Sequence, residues 1–195
     1  MITRKMSFVK SAVLVKDFPP QRLPEVAIAG RSNAGKSSLI NAISNSKIAK
    51  VSNTPGKTRL LNFFNMGESY MLVDMPGYGF AARSNDEVNN WQEMIESYLT
   101  QRENLCGLIL VMDIRRSWTP DELALKQFAD HNGFPMLVVL TKADKISKNE
   151  KTKAVRDMKI SCGIPHVFAV SSLQKIGYDE MEEFVYRTWI KKEGI

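Results

Sequence analysis

Short apolar runs alternate along the chain with longer stretches whose apolar positions recur every three or four residues. Residues 26–29, 108–113, 136–141 and 167–170 are the runs of strand length, and the two in the middle are continuously apolar, as parallel strands covered on both faces require. Residues 60–66 and 69–74 predict two further strands joined by a tight turn at Met66, Gly67 and Glu68. Helices are predicted near 36–44, over 148–160, over 178–192, and over 88–102, where Val88, Trp91, Ile95, Tyr98 and Leu99 fall at helical steps. Another begins at Thr119-Pro120-Asp121-Glu122, with threonine as cap, proline first in the helix and acids in the first turn. This alternation predicts a three-layer α/β domain. Its mostly parallel sheet has six strands, with residues 60–66 as one antiparallel edge strand and helices on both faces. No repeat, low-complexity segment or linker divides the chain, so one domain is expected over 23–195, preceded by an N-terminal extension at 1–22.

Composition narrows the class without changing it. The 195 residues are 44% hydrophobic and 25% charged, the balance of a globular domain with a core of its own. No apolar run approaches the ~20 residues of a membrane-spanning helix. The patch at 12–15 is too short for a signal-peptide core, so a cytoplasmic protein is expected. Cys106 and Cys162 stand far apart in no metal-ligand spacing and read as small packing residues. The net charge of +6 is concentrated: residues 1–24 and 141–160 each carry +4, and the rest of the chain is slightly acidic. Two such stretches suit a polyanion such as RNA, and equally a lysine-rich helix facing water.

Candidate chemistry begins at Gly30-Arg31-Ser32-Asn33-Ala34-Gly35-Lys36-Ser37, a G-x-x-x-x-G-K-S loop placed after a predicted strand and before a predicted helix. Glycines there let backbone amides curl around a phosphate chain, and the helix start adds positive potential. Lys36 would reach the β- and γ-phosphates, and the Ser37 hydroxyl would ligate Mg²⁺. Asp74-Met75-Pro76-Gly77 closes a second strand, with Asp74 placed to hold Mg²⁺ through water and Gly77 to sense the γ-phosphate. Thr141-Lys142-Ala143-Asp144 ends a third. The Asp144 carboxylate can accept both N–H groups of guanine, and the Lys142 stem can cover the ring; adenine lacks that donor pair. Val170, Ser171 and Ser172 follow the last strand, where backbone amide and hydroxyl contacts to a base edge are expected.

These elements, with PGKT at Pro55–Thr58, stand in the order found in TRAFAC-class GTPases, whose Ras-like P-loop domain is the three-layer fold predicted above. The segments LPEVAIAGRSNAGKSSLIN, TPGKTRLLNFF, LVDMPGYGFA and TKADKI resemble the EngB family, also called YihA or YsxC, bacterial GTPases of ribosome assembly. The resemblance runs from about Leu23 to the C-terminus. It implies binding of GTP and GDP with Mg²⁺, GTP hydrolysis, a switch role on the large ribosomal subunit precursor, and a link to cell division and septation. It makes Thr58 the switch threonine that ligates Mg²⁺, flanked by Gly56, Lys57, Arg59 and Leu60; the family usually has glutamine and threonine where this chain has Arg59 and Leu60. A monomer is the default for the class.

Hydrolysis is expected to be slow without help, because Tyr78 follows the D-x-x-G where Ras-like proteins carry a water-orienting glutamine. Asn33 suggests K⁺ as the missing positive charge, since several related GTPases use an asparagine there; the other reading is a loop residue satisfying its own backbone. Arg115 and Arg116 read as a solvated turn or a finger in cis. Trp91, Trp118 and Trp189 read as packing residues, and residues 81–87 as the mobile part of a second switch. Two other functions fit parts of the pattern. A nucleotide kinase would not need TKAD, and a membrane or septal module would want an anchor that is not seen.

Overall fold

The computed structural model describes residues 5–49, 60–78 and 85–192, with the side chains of 85–92 excepted. Seven strands form one sheet: β1 (Met6–Ala12), β2 (Glu25–Gly30), β3 (Leu61–Met66), β4 (Tyr70–Asp74), β5 (Leu105–Asp113), β6 (Met136–Thr141) and β7 (Val167–Ala169). Their order is β1-β3-β4-β2-β5-β6-β7. Strands β4, β2, β5, β6 and β7 are mutually parallel, while β3 runs antiparallel to β4 and β1 antiparallel to β3.

The predicted α/β class holds, with one strand more than expected. Residues 61–66 are antiparallel but are not the edge: β1, from the segment read as an extension, pairs along them from Met6↔Met66 to Ala12↔Leu61. Its sequence MSFVKSA buries only its two ends, so no alternation announces it; backbone hydrogen bonds to β3 rather than a buried face make it a strand. The register slips between Phe8 and Lys10, a bulge of the kind that protects sheet edges.

Successive residues of the central strands point to opposite faces and build two cores. On one face Ala27, Ala29, Leu108, Leu110, Met112, Val138 and Leu140 meet α2 (Asn85–Gln101), α3 (Pro120–His131) and α4 (Lys148–Cys162). On the other, Val26, Ile28, Ile109, Val111, Leu137 and Val139 meet α1 (Lys36–Ile43) and α5 (Tyr178–Val185). Helix α5 ends earlier than predicted and continues as a wider turn over Tyr186–Ile190, which buries Trp189. Trp189 lies on Gly107, where an added Cβ would come within 2.6 Å of the indole ring. Gly107→Ala should therefore cost about 1–3 kcal/mol by overpacking, read as a lower denaturation midpoint with an unchanged slope. Trp118 also packs against the core, while the Trp91 side chain lies outside the described residues. Cys162 is buried and Cys106 half-buried.

At the end of the sheet where the parallel strands begin, Glu25 is fully buried. Arg102, just past α2, pairs with both of its carboxylate oxygens, Tyr98 donates to it at 3.0 Å, and Arg102 Nη1 donates to the Pro19 carbonyl at 2.9 Å. The guanidinium lies 5.8 Å from the centre of the Phe18 ring and 6.0 Å from that of Phe63, two rings that pack against each other. This cluster fastens the segment after β1 and the end of α2 to the sheet.

Candidate functional site

The opposite end of the sheet collects the C-termini of the parallel strands: Gly30, Asp74, Asp113 and Thr141, with Val170 just past β7. Register places Ile28 beside Asp74, Gly30 beside Val111 and Asp113 beside Thr141. The chain order reverses between β2 and β5, the crevice where doubly wound sheets hold ligands.

The loop from Gly30 to Ser37 rises out of β2 and turns into α1. Gly35 has φ +94, and a Cβ there would press on Thr141 at 3.0 Å, so both conformation and space require glycine. Asn33 also adopts a left-handed conformation, φ 62, which asparagine tolerates better than most residues. That is a structural reason for Asn33, whose side chain is exposed. Thr141 closes the loop from β6, its hydroxyl lying against the carbonyls of Ala34 and Met112. Helices α3 and α4 begin with capping boxes and first-turn acids; α1 has neither, and its first residue is Lys36. Its first-turn amides and dipole are thus left for an anion.

The Lys36 ammonium forms an ion pair with the Asp74 carboxylate, both largely buried. A basic helix start, an ammonium, the Ser37 hydroxyl and this carboxylate form a donor set that fits a polyphosphate with Mg²⁺. Among the described residues no group of three His, Cys, Asp or Glu side chains could hold a metal by itself. A Mg²⁺ ligated by hydroxyls, phosphate and a water-bridged carboxylate needs no such group. Of the D-x-x-G residues, Met75 and Pro76 are buried, and Met75 packs into the core with its N–H on the Ile28 carbonyl. Met75 can therefore reach a ligand only through its main chain. Gly77 lies against Ser32, 3.2 Å from its nitrogen to a would-be Cβ.

The Tyr78 side chain reaches the start of α3. Its phenol donates to Glu122 Oε1 at 2.9 Å, and burial beside that carboxylate raises the phenol far above its ordinary pKa, so it stays a donor. Glu122 Oε2 in turn takes the Thr119 N–H and hydroxyl in the capping box of α3. The Tyr78 carbonyl accepts the Ser32 N–H at 3.2 Å, and Arg31 pairs with Asp121 at 3.4 Å. One main-chain and two side-chain links therefore join Tyr78, the phosphate loop and the start of α3. Sequence alone showed that Tyr78 is no glutamine, but not where it goes.

In the turn after β6, Lys142 is left-handed, φ 59, and its ammonium donates to the Asn33 carbonyl at 2.9 Å. Ala143 is buried with its N–H on the Val170 carbonyl, which fixes the turn carrying Asp144. Ser171 Oγ donates to Asp144 Oδ1 at 2.6 Å, and this hydroxyl, ahead of the Lys145 ammonium, holds the carboxyl below its usual pKa. The Ser171 N–H is used by the Ile176 carbonyl. Ser171 thus orients Asp144 rather than offering its own amide to a base, and Ser172 is the exposed member of the pair. Arg115 is held on Asp113, which removes it as a free finger, and Arg116 is exposed.

A cavity of about 410 Å³ adjoins the loop, lined by Arg31, Ser32, Asn33 and Ala34, by Asp113, Arg115 and Arg116 after β5, by Glu122 and by Lys142. Gly56, Lys57, Thr58 and Arg59 lie outside the described residues. Leu60 is partly exposed ahead of β3, with no described contact to the loop. Of the segment read as a mobile switch, 81–84 are outside the described residues and 85–87 already belong to α2.

A phosphate loop on a doubly wound sheet, an aspartate at the end of β4 and a T-K-x-D turn at the end of β6 define a P-loop GTPase. The family model described as 50S ribosome-binding GTPase matches residues 25–142. The chain belongs to the EngB family of GTP-binding proteins. It is 61% identical, over 97% of its length and 94% of the relative's, to the probable GTP-binding protein EngB of Bdellovibrio bacteriovorus. It is 45% identical, over 96% of both chains, to the protein of that name in Desulfosudis oleivorans. In fold it is similar to a crystal structure of a probable GTP-binding protein EngB, with TM-score 0.71, 21% identity, 87% of this chain and all of the other. Era of Aquifex aeolicus is also similar in fold, with TM-score 0.70, 23% identity, 86% of this chain and 57% of that one.

Proposed function

We propose that this GTPase is a Mg²⁺-dependent switch acting on a precursor of the large ribosomal subunit, with slow hydrolysis until K⁺ or a partner completes the site. The observation that carries the switch is Lys36 paired with Asp74, beside Tyr78 linked to both Ser32 and Glu122. To meet a γ-phosphate, Lys36 would have to leave Asp74 and Gly77 would have to move, so the links of Tyr78 next to it would have to yield as well.

In this reading the residues from Gly30 to Ser37 wrap the phosphates, Lys36 binds the β- and γ-oxygens, and Ser37, Thr58 and, through water, Asp74 hold Mg²⁺. The metal, when bound, neutralises charge on the phosphate oxygens. Lys142 and Asp144 take the guanine, with Ser171 aiming the carboxylate. Tyr78 offers a phenol where a carboxamide would orient the water, and the positive charge for hydrolysis comes from K⁺ near Asn33 or from the partner. Equal GTP turnover in K⁺ and Na⁺ buffers would remove the potassium version.

The partner reading is supported by the family description and by α4. Lys148 and Lys153 are exposed there, with Lys151 half-buried on the same helix. Reversing these three charges should weaken association with large-subunit precursor particles and make its log–log salt dependence shallower by up to about three. Cosedimentation with such particles and with liposomes, in GTP and in GDP, tests the reading. Nucleotide-dependent pelleting with particles is expected; binding only to liposomes would replace the ribosomal role by a membrane one. No helix among the described residues is long and apolar enough to cross a membrane. The same proposal takes residues 23–195 as one GTP-binding domain with β1 of the preceding segment built into its sheet. It also takes the protein as a cytoplasmic monomer needed for normal septation.

A further inference from the structure

Asp113 is a buried carboxylate beside the phosphate loop to which the scheme above gives no task. It ends β5, and its Oδ1 accepts the Arg115 N–H at 3.1 Å and Arg115 Nε at 2.9 Å. Its Oδ2 accepts Arg115 Nη2 at 2.7 Å and meets the Lys142 ammonium at 3.0 Å. That same ammonium donates to the Asn33 carbonyl. The Arg115 fork uses both carboxylate oxygens and fixes the plane of the group, so Lys142 always finds an oxygen in one place. Arg115 also holds the Asp113 carboxyl well below the usual carboxylate range, so the charge persists at any physiological pH.

A free lysine side chain samples many rotamers, and a stem meant to lie along a base must give most of that freedom up. Here the ammonium is gripped between Asp113 and the loop carbonyl, and the left-handed backbone of Lys142 aims the stem. We propose that Asp113 is a positioning residue for nucleotide binding: it holds Lys142 across to the phosphate loop, so that the stem stands as a preformed wall of the base site. This rests on the reading of Lys142 as that wall. Asp113 acts on the ring face and not on the base edge, so it should contribute equally to every purine nucleotide that Lys142 covers. Discrimination by the 2-amino group stays with Asp144.

The test is a double-mutant cycle on the full-length protein, with GDP and IDP affinities and dissociation rates measured for the native chain, Asp113→Asn, Lys142→Met and the double variant. Asp113→Asn should weaken both nucleotides by the same factor, on the order of tenfold, chiefly through faster dissociation. The double variant should bind no more weakly than Lys142→Met alone, because the two changes remove one device. Independent, multiplying effects would overturn the proposal, as would an Asp113→Asn effect under about twofold. No effect of Lys142→Met would remove the base-wall reading itself, and the proposal with it. Should Asp113→Asn not fold, Asp113→Glu keeps the charge but moves it by a methylene. Its smaller loss must likewise vanish in the Lys142→Met background.

Discussion

Arg102→Met is expected to destabilise the protein by about 3–5 kcal/mol, lowering its melting temperature by on the order of 10 °C in a calorimetric scan. Glu25 is fully buried, and Arg102 supplies two of the three donors on its carboxylate. Methionine matches much of the arginine stem but leaves the acid with the Tyr98 hydroxyl alone, and leaves the Pro19 carbonyl without its donor. The cost is chiefly that of an uncompensated charge, not of a lost attraction. Glu25→Met in the same chain should therefore recover part of the loss, and adding Tyr98→Phe should recover more. A single-variant cost below about 1 kcal/mol would mean that water reaches Glu25 once Arg102 is gone. The cluster sits at the far end of the strands from Gly30 and Asp74, so nucleotide affinity per folded molecule should not change.

Glu25 also shows where the sequence stops being legible. The run at 26–29 marks a buried strand because every residue in it is apolar, but the glutamate before it reads as a boundary, and only the fold reveals its partner 77 positions away. β1 is hidden for the opposite reason. Its stability lies in main-chain pairing with β3, and its side chains are exposed through the middle of the strand. The candidate site was readable wherever a phosphate loop or strand-end turn needs a local spacing, and the fold gathers those segments, Gly30 to Ser37, Asp74 to Gly77 and Thr141 to Asp144, at one end of the sheet. Each is a few residues at the end of one strand, so the strand pattern placed them together in advance. Groups that act across strands carry no such spacing. Tyr78 is bonded to Glu122, Asp113 to Lys142 and Ser171 to Asp144, and no spacing along the chain announces any of these pairings. The threonine cap and first-turn acids at Thr119 were visible, yet the closing of a capping box by Glu122 and its use as an anchor for Tyr78 were not.

Asp144→Asn should exchange guanine for xanthine. Guanine presents two N–H donors on one edge, and a carboxylate accepts both; each such bond to a charged group contributes about 1.5–3 kcal/mol. The carboxamide has one acceptor and one donor, so its NH₂ would face the 2-amino group of guanine, donor against donor. Xanthine carries a carbonyl at that position and restores the pairing. GDP affinity should fall by about 10²–10⁴ and XDP affinity should rise above it, measured by displacement of a fluorescent nucleotide. The neighbouring hydroxyl allows the change. Ser171 Oγ donates to Asp144 Oδ1, and a hydroxyl can rotate to donate to a carbonyl or accept from an amide, so either orientation of the carboxamide is accommodated. Ser171→Ala alone should then weaken GDP and XDP together, by about 0.5–1.5 kcal/mol, because it loosens the aim of Asp144 without altering what Asp144 offers. A ratio of XDP to GDP affinity unmoved by Asp144→Asn would place the base elsewhere. A ratio inverted by Asp144→Asn and unmoved by Ser171→Ala would fix Asp144 as the group that reads the base and Ser171 as the group that holds it.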